Sequence, residues 1–150
     1  MRAVVQRVRR ARVTVDGRLT GEIGPGLLAF VGISRADTAA DVVSLAGKLL
    51  EMRVFEGAEG RPMDRSVVDV GGSVLVVSQF TLYGDLRKGR RPSFDAAARP
   101  EEARVLYESL VRELLARGIP VATGEFQASM QVELTNDGPV TLLVDTTRQF

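Results

Sequence analysis

Two stretches of the chain end apolar runs in groups that can do chemistry: "SQFTLYGD", Ser78 to Asp85, and "TNDGPVTLLVD", Thr135 to Asp145. In the first, a strand-like run delivers Ser78, Gln79 and Thr81 to the point where buried sheet opens to solvent, a common place for a site. Its plainer reading is a polar strand end that keeps Phe80 and Leu82 in the core. In the second, Gly138-Pro139 stands just before an alternating strand. X–Pro bonds in folded proteins are cis in only about 5–6% of cases, so spacing alone favours a trans turn. The proline contributes no N–H, and carbonyl oxygens therefore dominate the local polar surface. Such carbonyls can accept from an ammonium group. They cannot deprotonate a water.

The rest of the composition narrows the chemistry further. The 150 residues contain no histidine and no cysteine. That removes thiolate nucleophiles, disulfides, Ser-His-Asp and Cys-His arrangements, and every histidine- or cysteine-ligated metal site. No metal and no cofactor are expected. Apolar residues at 45% and charged residues at 26%, with no low-complexity tract, describe one folded domain over residues 1–150. The N-terminal "MRAVVQRVRRARVTVDG" carries too many arginines for a secretory segment, and no run approaches the roughly 20 apolar residues needed to cross a bilayer. A soluble, cytoplasmic protein without a membrane partner is expected. The net charge of +1 says little, but its distribution says more. Arg2, Arg7, Arg9, Arg10 and Arg12 crowd the start, and Arg87, Lys88, Arg90 and Arg91 crowd one loop. Such clusters suit a phosphate backbone, or simply a solvated strand edge.

The elements that must position these groups follow from periodicity. "AVVQRVRRARVTVDG" alternates with period two, as a strand or strand pair, and Asp16-Gly17 is a turn signal. "RLTGEIGPGLLAFVGIS" reads as a second strand pair turning at Gly24-Pro25-Gly26. "TAADVVSLAGKLLEMRVF" switches to helical spacing, with Val42, Val43, Leu45, Ala46, Leu49 and Leu50 on one face and a Thr38–Asp41 capping box. A short strand is expected from Met52 to Phe55, and a buried one at Val74–Val77. A second helix begins near Pro100, turns Leu106, Tyr107, Leu110, Val111, Leu114 and Leu115 inward, and stops at Gly118 and Pro120. "PVAT", "SMQVELT" and "VTLLVD" return to strands. This order implies an α+β fold with a largely antiparallel or mixed sheet.

Taken together, "QRVRRARVTVDG", "GEIGPGLL", "GGSVLVVSQFTL", the loop "RPSF" and "ASMQVELTNDGPVT" resemble the D-aminoacyl-tRNA deacylase family, of the D-tyrosyl-tRNA(Tyr) deacylase type, over essentially the whole chain. The resemblance implies a homodimer of compact, β-barrel-like subunits with two main helices. Its activity would be hydrolysis of the ester joining a D-amino acid to the 3′-terminal adenosine of tRNA. It further implies a cis Gly138–Pro139 bond inserted into the partner subunit's active site, whose carbonyls engage the substrate's α-ammonium. An L side chain would run into that backbone, while glycine mischarged on tRNA(Ala) would fit. Ser78, Gln79, Phe80 and Thr81 match the family motif around the ester and adenosine, and Met130 matches a position against the adenine. Asn136 and Thr141 flank Gly138 and Pro139 in the substrate-binding motif. Gln127 and Ser129 depart from the small or acidic residues common among relatives.

A deacylase of an activated ester needs mainly a positioned water and a stabilised oxyanion. Backbone N–H groups at Gln79–Phe80–Thr81, helped by the ribose 2′-hydroxyl, are the expected donors. Thr81 and Thr141 are possible nucleophiles, yet no histidine or N-terminal amine stands beside either in sequence to activate it. Arg7, Arg87, Lys88, Arg90 and Arg91 are expected to bind tRNA phosphates without reading sequence. The competing reading is an RNA- or nucleotide-binding module of the same fold without turnover. A general esterase is disfavoured by the absence of a G-x-S-x-G elbow.

Overall fold

The computed structural model describes residues Met1–Phe150. The alternating N-terminal run is a single strand, β1 (Arg2–Val15). Asp16 and Gly17 both take positive φ, 50° and 76°, as the two-residue turn matching strand twist requires. The chain then returns antiparallel as β2 (Arg18–Ile23). β3 (Gly26–Gly32) does not pair with β2, contrary to the hairpin that Gly24-Pro25-Gly26 suggests. The two lie end to end along one edge of β1, β2 against Ala11–Val15 and β3 against Arg2–Val8. A long strand satisfies both through its own backbone.

β4 (Ser73–Ser78) is parallel to β3, and β5 (Val121–Thr123) is parallel to β4. Parallel neighbours need crossovers, which α1 (Ala39–Glu51) and α2 (Pro100–Ala116) provide. β6 (Gln131–Asp145) closes the other edge of β1, antiparallel along nearly its whole length. The mixed sheet curls until β2 nears β5, where a Cβ on Gly21 would run into the Thr123 carbonyl. The result is an α+β fold: a nearly closed, barrel-like sheet with two helices.

The curl gives β4 two buried faces, which explains its unbroken apolar run. Val74 and Val76 join the core under the helices, with Leu45, Leu49, Leu110 and Leu114. Leu75 and Val77 point into the barrel with Val8, Ala11, Val13 and Leu28. The helical stripes are narrower than expected from sequence. Val43 and Leu115 are half exposed, because each lies one residue, about 100° of helix, from a buried neighbour. Met52–Phe55 is not a strand. Val54 and Phe55 are buried there, but the only pairing is a bridge from Phe55 to Arg65. At the start of α1, the Asp41 carboxylate accepts the Thr38 N–H at 2.9 Å.

Asp145, at the end of β6, is buried, which works against its charge. The Thr147 hydroxyl and N–H and the Arg2 guanidinium more than offset that and hold its carboxyl below the ordinary range. A depressed folded pKa contributes stability above the unfolded value of about 3.9, and loses it as pH falls through the folded value. Asp145→Asn is therefore expected to unfold at lower urea than the parent at pH 7, and the two midpoints should converge below about pH 4. Gly21→Ala should push β2 off β5 and cost about 1–3 kcal/mol by urea unfolding. Gly24→Ala, with nothing within 4 Å of the new methyl, should leave the midpoint nearly unchanged.

Candidate functional site

β4 ends at Ser78, and the chain turns at once into a single 3-10 turn, Phe80–Tyr83. The Gln79 N–H donates to the Val31 carbonyl at 2.8 Å and so belongs to the sheet. The N–H groups of Phe80 and Thr81 open the turn, where no earlier carbonyl of the turn can reach them. A depression of about 300 Å³ lies beside Phe80, lined by Ser78, Gln79, Phe80, Phe126, Ala128 and Met130 among others. A second, of about 250 Å³, is formed by Val4, Phe30, Gln79, Thr81 and Leu82. Phe80 is 58% exposed, so it is not the core residue of the plainer reading. Its ring stands edge-on to Phe94 at 4.9 Å, tying the turn to the loop that carries "RPSF".

The side chains around this turn have no strong base. The Thr81 hydroxyl accepts from the Gln79 amide, and the Thr141 hydroxyl accepts from the Gln6 amide at 3.0 Å. Each threonine thus faces a donor, not a group that could take its proton. Burial pushes the Tyr83 phenol up to about 12 and raises Tyr107 as well, so both stay protonated at neutral pH. The acceptors and donors suited to chemistry here belong to the backbone.

Gly138 and Pro139 lie elsewhere, on a bulge in the β1–β6 ladder. Gln6 pairs with Thr141 and Val8 with Asn136, so Asp137 to Val140 stand opposite Arg7 alone. The surplus backbone projects outward with Gly138 and Pro139 exposed, and the bond between them is cis. Two side chains hold its base. The Arg7 Nε donates to the Asp137 carbonyl at 2.8 Å, and its Nη1 donates to the Val54 carbonyl. The Asn136 amide donates to the Arg7 carbonyl at 2.9 Å and to the Val140 carbonyl at 3.1 Å. The Asp137 carboxylate is gripped by Arg7 and Arg9, each at 3.2 Å. Asn136, Gly138 and Pro139 line neither depression.

The site residues expected from sequence thus fall into three groups. Ser78, Gln79, Phe80, Thr81 and Met130 surround the two depressions. Asn136, Gly138 and Pro139 form the bulge, and Thr141 sits at its foot. Lys88, Arg90 and Arg91 are exposed on the loop after the turn, pinned at its neck by the Asp85–Ser93 bridge. Arg87 in the same loop is held in a bidentate pair with Asp85, and this holds the Asp85 carboxyl well below its usual range. Arg7 is set apart from the loop cations: its guanidinium points into the fold and holds the bulge. Asp137 and Gln6, which lie within the quoted motifs but carry no expected role there, join the site through their contacts across the sheet. Only the strand register could have revealed them.

Residues 4–145 match the family model described as D-Tyr-tRNA(Tyr) deacylase. A D-aminoacyl-tRNA deacylase from Symbiobacterium thermophilum is 57% identical over 150 residues, covering 100% of this chain and 99% of that one. Among solved structures, one titled c-Myc DNA unwinding element binding protein is 41% identical with a TM-score of 0.93, covering 97% of this chain and 99% of the other. A probable eukaryotic D-amino acid tRNA deacylase, 18% identical with a TM-score of 0.82 over 95% of this chain and 97% of that one, shares the fold.

The two clamps make a local prediction. Arg7→Met should speed amide hydrogen exchange at Gly138 and Val140 by about tenfold or more, the loss of one or two hydrogen bonds. Exchange at Val132–Leu134 and Leu142–Val144 should change far less. Uniform acceleration along β6 would mean that Arg7 serves the whole sheet and not the bulge.

Proposed function

The chain belongs to the D-Tyr-tRNA(Tyr) deacylase family, and on that premise we propose that it is a D-aminoacyl-tRNA deacylase that hydrolyses the ester between a D-amino acid and the 3′-terminal adenosine of tRNA. The observation that carries the mechanism is the pairing of unengaged backbone N–H groups at Phe80 and Thr81 with hydroxyls that lack a base. The ester is already activated, so catalysis consists of positioning and of charge stabilisation. Water adds to the ester carbonyl, and the oxyanion is held by the Phe80 and Thr81 N–H groups. The ribose oxygen leaves with a proton relayed by the neighbouring 2′-hydroxyl. Free D-amino acid and tRNA result, with no cofactor and no covalent enzyme intermediate. Met130, Phe126 and Ala128 offer an apolar seat for the adenine.

The working unit on this reading is a homodimer with the active site at the subunit interface. Gly138 and Pro139 project from the fold and line neither of the two depressions at the turn, which fits insertion into a second copy. Beside the Gln79–Thr81 turn, Val4 pairs with both Phe30 and Leu143 on one face of the sheet, and Leu143 is 62% exposed. Such an apolar row suits burial against its own symmetry mate. The carbonyls of the inserted bulge would accept the substrate's α-ammonium and block an L side chain sterically. Glycine, including glycine mischarged on tRNA(Ala), would pass. Lys88, Arg90 and Arg91 would meet the phosphates, and the reaction belongs to the cytoplasm.

One observation favours a second reading: the 41% identical relative is named for binding DNA. On that reading the fold would bind nucleic acid without turnover. Release of amino acid from D-aminoacyl-, L-aminoacyl- and glycyl-tRNA separates the two. D-aminoacyl-tRNA should be cleaved at least about a hundredfold faster than the L form, glycyl-tRNA should be cleaved as well, and Thr81→Ala and Thr141→Ala should each keep turnover within about tenfold. Binding without release supports the second reading. Equal rates on D and L contradict steric selection.

A further inference from the structure

We propose that Arg104, on the exposed face of α2, is a positioning residue that holds the outer wall of the adenosine depression by covering the Phe126 ring and donating to Gln127. This rests on the deacylase reading above and assigns how the nucleoside side of that site is kept in shape. The wall is the loop from Gly124 to Met130, which has no strand or helix of its own. Its two ends close on each other, since the Met130 sulfur occupies the space where a Gly124 Cβ would point, 2.6 Å away. At the tip, the Ala128 N–H donates to the Glu125 carbonyl at 3.3 Å, closing a turn over Phe126 and Gln127. Gln127 takes a φ of 64°, in the left-handed region that a non-glycine residue disfavours. The turn bond is longer than the usual N–H···O range, so a hold from outside the loop adds to it.

Arg104 does this with two contacts on adjacent residues. Its guanidinium lies over the Phe126 ring, 4.8 Å from the centroid, and its Nη2 donates to Gln127 Oε1 at 3.3 Å. Phe126 and Gln127 are both lining residues of the depression. On its inner side Phe126 packs against Tyr107 at 5.5 Å, and the Tyr107 hydroxyl donates to the Val76 carbonyl at 2.9 Å. Val76 lies in β4, two residues before Ser78. Helix, loop and catalytic strand are therefore joined by one stack: Arg104 outermost, then Phe126, then Tyr107 on β4. Arg18 holds the same loop at Glu125, 2.7 Å, but Glu125 does not line the depression. Stacking of a flat cation on a ring, with one directed hydrogen bond, is a task that arginine performs and lysine does not.

The proposal distinguishes shape from charge, so the probe is adenosine, which carries no phosphate. NMR titration of adenosine should give a Kd raised by roughly three- to tenfold in both Arg104→Ala and Arg104→Lys. KM for D-aminoacyl-tRNA should rise with it, while kcat stays within about twofold. Unchanged adenosine affinity in Arg104→Ala overturns the proposal. So does full rescue by lysine, which would make Arg104 a charge and not a positioning plane. A parent protein that binds no adenosine overturns it too, whatever its turnover. If the parent binds adenosine, Arg104→Ala weakens it and neither releases amino acid, the positioning role stands and the hydrolase reading fails.

Discussion

Arg7 stands opposite four residues of the neighbouring strand, and the site depends on how that mismatch is held. An antiparallel ladder normally matches one residue to one. Here Asp137, Gly138, Pro139 and Val140 share a single partner, so backbone must leave the sheet. Left alone, such a loop would have only solvent to satisfy its polar groups. Arg7 closes it from the β1 side, and Asn136 closes it from β6 by bonding both Arg7 and Val140. The protruding piece is therefore presented by two long, paired strands and not by a flexible connection. A rigid projection of this kind can discriminate by shape.

Backbone is presented in a comparable way at the end of β4. β4 is paired on both edges and covered by helices on one face and the barrel interior on the other, and this buried strand delivers its C-terminal end to one spot. There the Gln79 N–H finishes the sheet while the Phe80 and Thr81 N–H groups are released by the tight turn. With no histidine or cysteine in the chain to act as base or thiolate nucleophile, directed backbone groups gain weight as a means of stabilising charge. An activated ester is a substrate for which they suffice. The two threonines that invite a nucleophilic mechanism hydrogen-bond to amides, which fix their orientation without activating them.

Much of this was legible in the sequence because local physics determined it. The apolar run of β4, the helical stripes with Pro100 at the start of α2, and the two motifs at the ends of apolar runs all reflect local backbone chemistry. What was not legible is register. Gly24-Pro25-Gly26 has the composition of a hairpin turn, yet β1 is long enough to hold both β2 and β3, so the turn merely bends the chain. Val54 and Phe55 have strand-like side chains but no partner strand beyond one bridge. Arg7 looks from sequence like any other arginine of a basic strand. Its inward role exists only because β6 carries surplus residues opposite it. The same holds for the occupied Gln79 N–H, whose partner Val31 lies 48 positions earlier in the chain.

The central claim is that the N–H turn of one subunit and the Gly138–Pro139 bulge of another together make one site. Subunit complementation tests it most directly. Ala128→Trp would fill the depression beside the turn, and Gly138→Val would place a side chain on the bulge against Asn136. Each variant alone should be inert on D-aminoacyl-tRNA while remaining folded. Unfolded together and refolded as an equal mixture, they should regain about a quarter of the parent's specific activity, because half the dimers are mixed and each of those carries one intact site. A mixture as inert as its components would contradict a shared site and place both halves within a single chain.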